Sequence, residues 1–98
     1  MSDRPETAPD AAMPQIDFST FIISLSTSVL YHLGLVEDPQ TGQRGEPDLA
    51  LASQTIDTLA VLEEKTRGNL DDEEKQLLES LLYEMRMRFV EVRQARRA

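Results

Sequence analysis

From Phe18 to Val36 the chain runs nineteen residues, FSTFIISLSTSVLYHLGLV, without one charged side chain, although Asp, Glu, Lys and Arg make up 29% of the sequence. A surface helix ordinarily keeps a wet, charged face opposite its apolar stripe. A stretch that lacks such a face has to be covered, by the rest of the fold, by another protein chain or by lipid. This requirement constrains the fold more than any motif does.

With 98 residues the chain is one small domain, and a domain of this size leaves roughly a third or more of its unfolded-chain surface exposed. Each further apolar side chain buried at an interface contributes about 1.5–3 kcal/mol. That is a large share of the roughly 5–15 kcal/mol of net stability a domain holds. Self-association is therefore expected before any motif is considered.

The first fifteen residues, MSDRPETAPDAAMPQ, hold three of the five prolines and few apolar side chains. Such a stretch buries too little to offset its ordering entropy, so residues 1–15 are expected to be a disordered tail and 16–95 a single helical domain. The acidic, proline-bearing start lacks the basic region and apolar run of a signal peptide, and a cytoplasmic location is expected.

Helix one is predicted over about 17–34, with Asp17 as its N-cap and Gly34 as a left-handed terminator. Phe18, Ile22, Leu25, Val29 and Leu33 form its stripe. Phe21, Ile23 and Leu30 widen that stripe. Thr20, Ser24 and Ser28 recur every four residues as a small-residue seam. Helical Ser and Thr hydroxyls can donate to their own backbone carbonyls, so the seam can be buried without orphaned polar groups. A strand is the competing reading of this β-branched stretch, but the spacing and length favour a helix.

Residues 37–47, EDPQTGQRGEP, form a turn-rich connector. Helix two is predicted over 48–67, following Pro47, with Asp48 close to its positive end and a stripe of Leu49, Ala52, Ile56, Leu59 and Leu62. Gly68 closes it. Helix three, 71–95, opens on an Asp71/Glu74 capping pattern and carries Leu78, Leu81, Leu82, Met85, Phe89 and Val92. The connector between them is too short for anything but an antiparallel hairpin. The fold class is therefore all-α: three helices, the last two a hairpin, completed by oligomerisation.

Chemistry is scarce. There is no cysteine, which removes disulfides, thiolate metal sites and cysteine nucleophiles. His32 is the only histidine, and Ser28, Val29, Leu35 and Val36 around it supply no further ligand. It reads as a helix-end histidine. The run Asp71–Glu74 lacks the alternating ligands and turn glycine of a calcium loop and reads as helix capping. No enzyme activity, cofactor or metal is expected. An enzyme or ligand site built from His32, Tyr31 and the serines is the alternative.

The net charge of −8 opposes association with nucleic acid. Five of the ten basic residues, Arg86, Arg88, Arg93, Arg96 and Arg97, nevertheless crowd the last thirteen positions. They read as a solvated face beside the negative end of helix three, with a Glu84–Arg88 pair at i,i+4. An acidic docking partner, a second copy of this chain included, is the functional alternative. The nineteen-residue run is just long enough to span a bilayer, but four serines, two threonines, a histidine and acidic flanks oppose a membrane span.

Asp17-Phe18-Ser19-Thr20-Phe21, Leu33-Gly34 and Asp38-Pro39-x-Thr41-Gly42 are followed by Gln54-Thr55-Ile56-Asp57, Leu62-Glu63-Glu64-Lys65-Thr66, Gly68-Asn69-Leu70 and Leu81-Leu82-Tyr83. These blocks resemble an uncharacterised bacterial family, domain of unknown function 1844. The resemblance covers roughly residues 16–92 and departs in the tail and around Gln43-Arg44-Gly45. It implies a small, all-helical, cytoplasmic bacterial protein, and brings no activity, cofactor or catalytic residue.

The functional expectation is a non-enzymatic helical module that self-associates through helix one, with Phe18, Thr20, Phe21, Ile22, Ser24, Leu25, Ser28 and Val29 at the interface. A hetero-partner adaptor covering the same helix is the alternative; a small-ligand or membrane-surface role ranks below it.

Overall fold

The structure, a computed structural model, describes residues 15–97. The tail expected over 1–15 lies outside the described residues except for Gln15, which is exposed.

Three helices account for the fold: α1 (Phe18–His32), α2 (Leu49–Lys65) and α3 (Asp72–Arg97). Among the described residues there is no strand. All three helices pack on one another. One core unites them: Ile22, Val29 and Leu33 from α1 and its C-cap, Ala52, Ile56 and Leu59 from α2, and Leu78, Leu82 and Met85 from α3. The three predicted stripes supply every one of these side chains. Phe18, Leu25, Leu62, Leu81, Phe89 and Val92 pack at its edge.

The helices start where side chains can satisfy the free amides of the first turn. The Thr20 amide donates to Asp17 Oδ1 at 2.8 Å, and the Leu51 amide donates to Asp48 Oδ1 at 3.0 Å. At α3 the capping box closes both ways. The Glu74 amide donates to Asp71 Oδ1 at 2.8 Å, and the Asp71 amide donates to Glu74 Oε1 at 3.0 Å. The acidic run is thus spent on capping.

Helix two starts one residue later and ends two residues earlier than expected, at Lys65. Asp48, at φ −113° and ψ 90°, is the N-cap rather than the first helical residue, and the helix follows Pro47 as expected. A cap needs an extended backbone to turn its carboxylate onto the following amides. Helix three runs two residues beyond the predicted end, to Arg97.

α1 closes in a Schellman motif. Gly34, at φ +74°, donates to the Tyr31 carbonyl, and Leu35 donates to the Leu30 carbonyl. The connector then folds into an ordered loop. The Asp38 amide donates to the Gln43 carbonyl at 2.9 Å, the Gly42 amide donates to the Asp38 carbonyl at 2.7 Å, and the Gln40 amide donates to Asp38 Oδ1 at 2.8 Å. Its two ends meet where the Asp48 amide donates to the His32 carbonyl at 2.6 Å. This bond ties the end of α1 to the cap of α2.

α3 begins just past the Thr66–Asp71 turn, and its far end brings Arg96 within 3.8 Å of Glu46, two residues before the α2 cap.

Candidate interaction face

The uncharged helix is only partly hidden by its own chain. Ile22 and Val29 are fully buried in the intramolecular core, so these two of the eight expected interface residues cannot touch a partner. The i, i+3, i+4 spacing identifies an apolar face and is silent on which chain covers it. Phe18 and Leu25 are half-buried at the core edge. Thr20, Phe21 and Ser24 are exposed, and Ser28 is half-buried.

The seam of Thr20, Ser24 and Ser28 stays on the side of α1 away from the core, and a further serine lies on the buried side. Ser26, absent from the expected interface, is buried at 4% exposure and faces the core, donating to the Ile22 carbonyl at 3.1 Å. Its position between Ile22 and Val29 is the signal that could have found it, masked because an apolar stripe is counted in apolar letters. A serine there lets another helix approach closely while its hydroxyl stays satisfied. On the outward side, Ser24 donates to the Thr20 carbonyl at 2.9 Å and Thr27 to the Ile23 carbonyl at 3.0 Å. These hydroxyls bond back to the backbone, which reduces their demand for water.

Phe21 and Ile23, 42% and 47% exposed, flank that hydroxyl stripe. Ile16, ahead of the Asp17 cap, is exposed as well. The outward side of α1 therefore combines two exposed large apolar side chains with internally bonded hydroxyls and no charge. Asp17 stands at its edge as a carboxylate held below its usual pKa, chiefly by the hydrogen bond from the Thr20 amide and then by the Thr20 side chain.

His32 and Tyr31 line a shallow hollow with Asp38, Gln40 and Gln43 of the connector, and Ser28 is not part of it. Among the described residues no group of three or more His, Asp or Glu side chains converges as a metal set. Among them, too, no helix is long and apolar enough to cross a membrane. At the basic end, Arg88 lies 3.8 Å from both Glu84 and Glu91, and the Arg93 guanidinium sits 5.5 Å from the Phe89 ring centroid. The predicted Glu84–Arg88 pair is thus present.

The family described as Domain of unknown function (DUF1844) matches residues 15–91. The chain belongs to the DUF1844 family. The match opens two residues before the Asp17 cap and takes in all of α1, α2 and the core-forming part of α3. No curated protein and no solved structure matches the chain. In this DUF1844 chain the matched span thus coincides with the packed three-helix unit.

Proposed function

We propose that this DUF1844 protein is a non-enzymatic interaction module that self-associates through the outward side of α1. The observation that carries the reading is the charge-free surface left after the monomer has packed: Phe21 and Ile23 remain nearly half exposed beside Thr20, Ser24 and Ser28. A helix meant to face water would carry Lys, Glu or Arg at such positions. Burying Phe21 and Ile23 at an interface contributes about 1–3 kcal/mol for each side chain, and the neighbouring small hydroxyl residues let a second backbone come close.

The protein acts without cofactor or metal, in the cytoplasm, and the same side of α1 is where a different protein would dock if the partner were not a second copy. Multi-angle light scattering on the purified chain tests the reading. A mass above that of the monomer, reduced toward monomer by Ser24→Arg with unchanged helicity, supports it. A variant mass equal to wild type moves the interface off α1. A stoichiometric complex with one other protein, formed by a chain that is monomeric alone, selects the adaptor reading.

A further inference from the structure

α3 carries two seams, and only one of them is used by the core. Leu78, Leu82, Met85, Phe89 and Val92 step by four, three, four and three residues along the buried or half-buried side. Gln76, Ser80, Tyr83, Met87, Val90 and Gln94 repeat the same alternation on the other side. At about 100° per residue the second seam lies roughly 160° from the first. It holds no charge in a helix otherwise dense with charge. Tyr83 is 68% exposed and Met87 is 45% exposed, the two largest side chains on it. A 3.5-residue repeat of uncharged positions is the pattern by which one helix meets another.

The charges beside the seam indicate what meets it. From Asp72 to Glu84 the helix carries five acids and one lysine; from Arg86 to Arg97 it carries five arginines and one glutamate. Two such helices laid parallel would set acid on acid and base on base. Laid antiparallel, each acidic half faces the other's basic half.

We infer that the outward seam of α3 docks the α3 of a second copy of this chain, antiparallel, about a two-fold axis at Met85. The spacing is self-complementary in that register: Tyr83 meets Met87 of the second copy, Ser80 meets its Val90, and Gln76 meets its Gln94. Glu79 then faces Arg93 twice across the axis. Glu84 meets its own counterpart near the axis, its charge offset by the adjacent Arg88. Arg86 also meets its own counterpart, so two like-charge meetings at the axis stand against the two Glu79–Arg93 pairs. A two-fold contact of this kind is closed and stops at a dimer. The α3 contact is independent of the one on α1; a chain using both would assemble beyond a dimer.

Sedimentation equilibrium on the full chain and its variants tests the contact. Tyr83→Glu and Met87→Glu place charge on an exposed seam; each is expected to weaken association more than tenfold while leaving the circular dichroism unchanged. Glu79→Arg is expected to weaken it likewise, and Glu79→Arg with Arg93→Glu to restore it. Rescue by the double variant is something a merely structural role would not give. The natural chain has no cysteine, so orientation can be read directly. A mixture of Tyr83→Cys and Met87→Cys chains should oxidise to the mixed disulfide faster than either variant pairs with itself. A monomeric wild type, association indifferent to Tyr83→Glu and Met87→Glu, or preferential Tyr83→Cys self-pairing each overturns the proposal. Loss of association with Phe21→Arg alone, and not with the α3 variants, leaves α1 as the interface and sinks this one.

Discussion

Gly34 stands so close to Gly45 that a Cβ on Gly34 would lie 2.6 Å from the Gly45 carbonyl oxygen. The same glycine holds φ at +74° to close α1. Two separate demands, a left-handed backbone and a close approach by the connector, therefore fall on one residue. Gly68, at φ +86°, meets only the first, because a Cβ there has open space around it.

The two glycines should therefore differ in what they tolerate. Gly68→Ala should destabilise by about 1–2 kcal/mol, the scale of the left-handed penalty. Gly34→Ala adds a backbone clash of about 1–3 kcal/mol, the scale of overpacking. Urea unfolding followed by circular dichroism measures both. Equal losses at the two sites would show that the Gly34–Gly45 approach is unimportant.

Ser26 offers a second test. Its hydroxyl bonds to the Ile22 carbonyl of its own helix, and its smallness serves the contact with neighbouring helices. Ser26→Ala keeps the size and should change stability by less than about 1 kcal/mol. Ser26→Leu must push the helices apart and should lose about 1–3 kcal/mol. Leu59→Ala, which empties a fully buried site, sets the scale at about 2–5 kcal/mol. A Ser26→Leu variant as stable as wild type would place Ser26 outside the packed core.

Most of the fold is legible in the sequence because its signals are local. Asp17, the Asp71/Glu74 box, Gly34 and Gly68 act within one turn of chain, and each does in three dimensions what its position implies. The apolar stripes likewise need only the helical period. What the sequence hides depends on contacts between segments. Asp48 serves as the cap of α2 rather than as its first residue. The Asp48 amide bonds to the His32 carbonyl, a partner on the order of 50 Å away along an extended chain, and local spacing carries no trace of that bond. Ile22 and Val29 carry the same apolar signal as Phe21, and only packing separates those two core residues from an exposed one. Ser26 shows the reverse case, a polar letter on the buried side.

The Asp17 cap makes stability depend on pH in a defined direction. Its carboxyl pKa is lowered in the folded chain, chiefly by the Thr20 amide. The unfolded value lies near the usual aspartate figure of about 3.9. Folded below unfolded means the contribution is present above that unfolded value and lost as pH falls through the folded one. Asp17→Asn still accepts from the Thr20 amide but cannot titrate. The stability difference between wild type and this variant should thus shrink or reverse as the pH is taken from about 6 down to 3. Parallel pH curves for the two would contradict the assignment.

In the proposed assembly, protein covers the uncharged outward side of α1 and leaves Phe21 and Ile23 dry. Light scattering coupled to size exclusion, on wild type and Phe21→Arg at tens of micromolar, addresses it most directly. The expected result is a wild-type mass at a multiple of 11.1 kDa, moved toward the monomer in Phe21→Arg, with the same helical circular dichroism in both. A wild type that elutes as an 11.1 kDa monomer, indistinguishable from Phe21→Arg, would contradict it.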